Sequence, residues 1–228
     1  FTAVAKENPA AAPMLCMLLR KQLGGGKLVQ ARQIGFDRVC ELEFAGRDEM
    51  GFAVTRYLMV EIMGKYSNLL LTDENKKIIT ALHLVDFSTS RLRQILPGMI
   101  YELPPAQDKA DLFATDRAAL AAYLAAADAS MPLHKFILGR FLGISPLVAR
   151  ELAFRATGRT DTPLGAVRTD ALFAVFADFI RIFAESDYAP TLVYGEDDTP
   201  VEFCFTELRQ YGTGAKTERF PTFGALLD

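Results

Sequence analysis

Asp37 and Arg38 stand side by side in Gln33-Ile34-Gly35-Phe36-Asp37-Arg38, just ahead of an alternating apolar run. A guanidinium is a planar, permanently charged fork that pairs with phosphate or stacks on a base, and a neighbouring carboxylate can orient it or accept from a ribose or base donor. The bland alternative is an exposed ion pair, worth about 0–1 kcal/mol. Arg20, Lys21 and Lys65 are further candidate phosphate contacts. For Arg20 and Lys21 a simpler role suffices, because they fall in the last turn of a helix, where positive charge complements the carbonyl end of the dipole. Gly143-Ile144-Ser145-Pro146 joins two helical stretches. Such a hairpin can turn backbone N–H groups and a helix N-terminus toward a phosphate, with Gly143 and Ser145 at its centre and Arg140, Arg150 and Arg155 close by. The same four residues also serve as a plain helical corner.

Other chemistries find little support. No G-x-S-x-G elbow and no Walker loop occur. Gly24-Gly25-Gly26-Lys27 follows a helix and enters a strand, the reverse of a Walker arrangement. Cys16, Cys40 and Cys204 are widely spaced, odd in number and set among apolar neighbours, so they read as reduced core residues, which favours the cytoplasm. His83 and His134 stand far apart, and the sequence implies no metal, no cofactor and no catalytic residue. The net charge of −3 hides an asymmetry: residues 1–110 carry 14 basic against 12 acidic side chains, residues 111–228 carry 11 against 16. A polyanion site therefore belongs in the first half.

The elements that must hold these residues follow from periodicity. Of the 228 residues, 50% are hydrophobic and 23% charged, the balance of a globular fold. No apolar run reaches the length of a membrane span, and the opening at Phe1 reads as the interior of a longer protein. Pro13 starts a helix through Leu23 whose leucines predict that most of it is buried. Strands are expected at 27–34, 38–44, 54–63, 69–72 and 78–85, joined by short polar turns into an antiparallel meander. In 38–44, Cys40, Leu42 and Phe44 share one face and Val39, Glu41 and Glu43 the other. Pro104-Pro105 marks a linker, with a boundary near residue 106. Helices follow at 116–128, with Thr115 as N-cap, and at 132–142, 146–156 and from 170, the last bearing a core stripe of Phe173, Phe176, Phe179 and Phe183. Strands at 191–194 and 201–205 close the chain, residues 211–218 look loose, and 220–228 begins a further element. The fold class is α+β: a β-meander packed with a helix (1–106), a helical helix-hairpin-helix domain (107–187), and a short β hairpin (188–228) returning to the first domain and leading toward a coiled coil.

Several phrases, read together, resemble one family. Glu7-Asn8-Pro9, Leu15 to Lys21, Gln33 to Arg38, Glu61-Ile62-Met63-Gly64-Lys65-Tyr66-Ser67-Asn68, Leu96-Pro97-Gly98 with Pro104-Pro105, and Leu142 to Leu147 occur in the order found in the NFACT-N family. Tyr66 departs from the histidine common in bacterial members, which puts any proton-transfer role there in doubt. The resemblance implies a cytoplasmic, non-enzymatic, ribosome-associated quality-control factor. Such a factor binds the large ribosomal subunit carrying a stalled peptidyl-tRNA and recruits tRNA, alanine tRNA foremost, for template-free C-terminal alanine tailing. It implies that Asp37 and Arg38 engage tRNA, and a fold similar to the N-terminal and helical parts of formamidopyrimidine-DNA glycosylases. Two other functions compete: a surface adhesin for fibronectin or fibrinogen, suggested by an older family label, and a DNA-repair glycosylase, suggested by the fold plan.

Overall fold

Five runs pair in sequence order, each antiparallel to the next, the last four rich in β-branched and long apolar residues: β1 (Lys27–Gln33), β2 (Val39–Arg47), β3 (Ala53–Glu61), β4 (Asn68–Thr72) and β5 (Ile78–Ala81). The computed structural model describes residues 7–105, 107–212 and 214–228, and contacts divide the chain into Glu7–Asp108 and Lys109–Asp228. The first unit is the predicted meander. Its last strand is shorter than the apolar pattern suggests. Beyond Ala81 the Asn68 side chain takes over from the ladder, accepting from the His83 amide (3.0 Å) and donating to the His83 carbonyl (2.8 Å). Val85 then bridges to Ile95.

The two faces of this sheet are covered unequally, and the deeper one is not the face that alternation favours. Val39, Met59, Leu70, Ile78 and Ala81 form a core with Ile95, flanked by Val85 and Tyr101 from the segment that folds back after β5. Glu41 and Glu61 lie on this same buried face, whereas Cys40, Leu42 and Phe44 on the other are only half-buried. A carboxylate can occupy such a place only if it is paired. Glu41 meets Lys76 Nζ at 2.6 Å and Arg32 at 2.6 Å. Lys76 also lies 2.9 Å from the centroid of the Tyr57 ring.

α1 (Met14–Leu23) runs beside β5, and Gln22 accepts from Arg56 Nε at 3.4 Å. The expectation that most of it is buried fails. Leu15, Cys16, Leu18 and Leu19 are half-buried, Met14 and Met17 are exposed, and no residue of the helix is fully buried. The helix covers the sheet with one stripe of its surface only.

The second unit opens with α2 (Arg117–Ala126), α3 (Leu133–Arg140), α4 (Pro146–Thr157) and α5 (Thr169–Glu185). Asp116, not Thr115, caps α2 by accepting from the Ala119 amide at 2.7 Å, while the Thr115 hydroxyl donates to the Asp111 carbonyl. Phe176 and Phe179 are buried as the stripe predicts, and Phe141 meets Phe176 edge-on at 5.2 Å. The chain ends in β6 (Thr191–Tyr194), β7 (Pro200–Cys204), β8 (Thr217–Arg219) and α6 (Phe223–Leu227). The terminal sheet has the order β7-β6-β8, so part of the stretch read as loose supplies a third strand. These strands group with the helices, not with the β-rich unit to which the sequence reading returned them. Phe205 packs on Phe179 and Phe183, and Arg155 of α4 donates to Thr206 Oγ1 and the Glu207 carbonyl. All three cysteines are free, and burial pushes the Cys204 thiol up.

Burial works to raise the Glu41 pKa, but hydrogen bonds from Lys76 and Arg32 outweigh it, so the carboxyl titrates below its ordinary value of 4.5. A depressed folded-state value contributes stability that is present above 4.5 and lost as pH falls through the folded value. Glu41→Gln should therefore flatten the acid side of the stability–pH curve, measured by urea unfolding on either side of that value. An unchanged acid limb would mean that Glu41 is not held as a carboxylate.

Candidate nucleic-acid interface

Register fixes which loops share an end of the first sheet. Gln33 pairs Cys40, Val39 pairs Glu61, and Glu61 pairs Asn68, so the turns 34–38 and 62–67 emerge together. The segment 82–93 joins them, because Leu82 donates to the Leu69 carbonyl at 2.8 Å. Asp37 and Arg38 lie in the turn between β1 and β2. Gly35 occupies a positive φ of 59°, a conformation that lets the chain reverse there without a Cβ penalty. The two charges of the dipeptide do not form an ion pair. The Asp37 carboxylate accepts from the Arg38 backbone amide at 2.7 Å, and Gln33 Nε2 donates to the Asp37 carbonyl at 2.6 Å. The turn is further pinned by the Ile62 amide donating to the Arg38 carbonyl at 2.9 Å. The exposed Arg38 guanidinium has no partner among the described residues.

The other loops at this end of the sheet carry Lys65 and Arg91, both exposed, with Tyr66 and Phe87 each 71% exposed. Lys65 Nζ lies 4.9 Å from the Tyr66 ring centroid. Ile62, Leu84 and Leu92 add exposed apolar surface. Cations interleaved with open aromatic faces are what a splayed nucleotide strand requires: charge for the backbone and rings for the bases. Asp86 is turned into its own loop, where hydrogen bonds from Ser88 and Thr89 hold its carboxyl below the usual range.

What fixes these loops is beneath them. Glu61, the last residue of β3, is 2% exposed and receives Arg93 Nη1 and Nη2 at 2.9 and 2.6 Å and the Tyr101 hydroxyl at 2.9 Å. Arg93 also lies over the Tyr101 ring at 5.2 Å. Burial opposes the Arg93 charge, yet the Glu61 carboxylate outweighs it and raises the pKa. Burial and the same carboxylate push the Tyr101 phenol well up, so it remains a donor. The motif from Glu61 to Asn68 thus divides by role. Glu61, Ser67 and Asn68 anchor, Ser67 Oγ accepting from the Met63 amide, while Ile62, Lys65 and Tyr66 face outward.

The other sequence candidates lie elsewhere. Arg20 and Lys21 are at the C-terminal end of α1, beside the opposite end of the sheet, where Lys21 pairs with Glu49 at 2.8 Å. Gly143 and Ser145 belong to the second unit. Gly143 has φ 71°, and Ser145 Oγ caps α4 by accepting from Val148 at 3.2 Å. The arginines near this hairpin are engaged: Arg140 stacks on Tyr123, Arg150 pairs with Glu202, and Arg155 pairs with Glu151. No three His, Cys, Asp or Glu side chains among the described residues group to hold a metal, and no described helix is long and apolar enough to cross a membrane.

Comparison with known proteins bears on the whole chain. Residues 1–228 match the family described as NFACT N-terminal and middle domains. The chain belongs to that family. Its NFACT relatives include the Rqc2 homolog RqcH of Bacillus subtilis, 39% identical over all of this chain and 38% of that protein's length. The archaeal Rqc2 homolog of Methanocaldococcus jannaschii is 34% identical over 46% of the chain and 14% of its own length. The chain thus spans about two fifths or less of these relatives. Among solved structures, the fibrinogen binding protein from Staphylococcus aureus superposes with a TM-score of 0.76 at 29% identity, covering 96% of this chain and 75% of that one. The N-terminal part of the fibronectin/fibrinogen-binding protein from Streptococcus suis gives 0.70 at 28%, covering 100% and 75%.

Sequence reasoning named Asp37, Arg38 and Lys65 as candidates, gave no role to Phe87 and Arg91 at the same end of the sheet, and gave Glu61 no partner. Arg91 and Arg93 sit in a segment with no clear periodicity, so pattern alone assigns the one no surface and the other no carboxylate.

Removing one partner of a buried pair leaves a desolvated charge, at a cost of about 3–5 kcal/mol. Glu61→Ala should lower unfolding free energy in urea by about that amount, and an effect within about 0.5 kcal/mol would show that the clamp does not hold this end of the sheet.

Proposed function

We propose that this NFACT chain is the RNA-contacting portion of a cytoplasmic factor in ribosome-associated quality control. The factor binds an obstructed large ribosomal subunit and recruits tRNA, alanine tRNA foremost, for template-free alanine tailing of the stalled chain. It acts by binding and positioning rather than by a catalytic group of its own. Family membership with Rqc2 homologs over the whole chain supports the cellular setting. The observation that carries the molecular reading is the unpaired Arg38 guanidinium, held on a pinned turn at the sheet end whose other loops carry Lys65, Arg91, Tyr66 and Phe87. Arg38 meets phosphate or stacks on an unpaired base, and the aromatic rings take neighbouring bases. Asp37 contributes mainly through the turn, since its carboxylate is committed to the Arg38 amide.

A second reading is favoured by the names of the structural neighbours, which describe fibrinogen and fibronectin binding. Cosedimentation of the intact protein with stalled large subunits, set against surface labelling of intact cells, separates the two.

Within the favoured reading, Arg38→Ala in the intact protein should weaken binding of alanine tRNA about tenfold and reduce its salt slope by about 1, with unfolding free energy unchanged within about 0.5 kcal/mol. Fluorescence anisotropy across a salt series and urea unfolding measure the two. Unchanged tRNA affinity would remove Arg38 from the interface, and a collapse in stability would make it structural.

A further inference from the structure

The second unit carries a groove of about 910 Å³ that the reading above does not use. Its lining comes from α5, the stretch 206–209, β6 and β8, together with Arg155 of α4. Residues 111–228 are acidic overall, yet four of their nine arginines, Arg155, Arg181, Arg209 and Arg219, converge on this one concavity from four separate segments.

The four are not equivalent. Arg155 is spent on Glu151, Thr206 and the Glu207 carbonyl, and shapes the groove rather than reaching into it. Arg181 and Arg209 pair with Asp178 at 2.9 Å and Glu207 at 3.0 Å, but each of these four side chains is more than 60% exposed. Exposed pairs of this kind are worth about 0–1 kcal/mol, so a phosphate displaces them at little cost. Arg219 of β8 is exposed and has no carboxylate partner among the described residues, and neither has Asp187, which lines the same groove, a cationic one. Thr217, two residues before Arg219, lines the same wall because alternate residues of a strand share a face.

We infer that this groove binds a strand of RNA by its sugar–phosphate backbone, independently of the loop end of the first sheet. Arginine forks take successive phosphates, and Asp187 accepts from a ribose 2′-hydroxyl. The free carboxylate favours RNA over other polyanions. An acidic peptide or a DNA strand offers the arginines the same negative charge but gives Asp187 no hydroxyl donor at the sugar.

The test uses the intact protein carrying Arg38→Ala, which weakens the first site, and a short fluorescein-labelled oligouridylate with its deoxy counterpart as probes. Arg181→Gln with Arg219→Gln should weaken oligouridylate binding several-fold and lower the slope of log K against log salt by roughly 1.4, two single-strand phosphate contacts at about 0.7 each. Asp187→Ala should erase the preference for the ribo over the deoxy probe. All three positions are exposed, and unchanged thermal midpoints check that the variants fold. Unaltered affinity and slope in the double variant would overturn the groove as an RNA site. Equal binding of both probes by the Arg38→Ala protein, or displacement of the probe by polyglutamate at matching charge concentration, would overturn it in favour of a generic anion or acidic-peptide surface. If the groove variants fail while Arg38→Ala still weakens tRNA binding, only this inference falls.

Discussion

Glu61 is where the first unit is decided. A carboxylate on the buried face of a sheet is expensive unless it is paired and hydrogen-bonded, and here a bidentate guanidinium and a phenol supply three hydrogen bonds. Because Glu61 closes β3, Arg93 closes the segment 82–93, and Tyr101 follows the Leu96-Pro97-Gly98 turn, one cluster ties three stretches that no β ladder joins at that point. The loops above it therefore share a frame. Ile62, adjacent to Glu61, passes that frame to the Arg38 carbonyl through a single main-chain hydrogen bond.

Glu41 repeats the arrangement further along the same face, with a softer pair of partners. Lys76 and Arg32 reach it from the sides, and both are more exposed than Arg93. The two clusters hold different parts of the sheet. The Glu61 cluster lies under the loops that carry Arg38, Lys65 and Arg91, while Glu41 holds β1 and the turn before β5 to the sheet. Two buried carboxylates on one face would suggest acid–base chemistry in a cleft, but each is neutralised by its own cations and faces the core.

Much of the architecture is written in local pattern. The meander, the four helices and the hairpin at Gly143 to Pro146 follow from apolar periodicity and from Gly, Pro and Ser at turns. Burial is less legible. Alternation gives two faces to β2 but not their ranking, because the chain returning at 85–101 covers one of them and nothing near Glu41 in sequence announces it. The exposed β1 and the half-covered α1 show the opposite failure: leucine spacing describes what a helix can bury, not what is there to bury it. For the site, Asp37 and Arg38 are visible as a charged dipeptide at a turn, whereas Arg93 finds Glu61 only through a separation of 32 residues. The third terminal strand, Thr217–Arg219, is too short and too polar to register as one.

The capping of the Arg38 amide by the preceding carboxylate has a consequence for the thermodynamics of recognition. The main chain of the turn is already ordered, by Asp37 on one side and Ile62 on the other, so association immobilises a side chain and not a loop. The entropy lost on binding is then confined to the rotamers of one arginine, of order 2 kcal/mol at most, instead of the about 1–2 kcal/mol per residue that ordering a mobile five-residue turn would add. A contact made this way loses little entropy as it forms, which suits the RNA-binding role proposed for this turn.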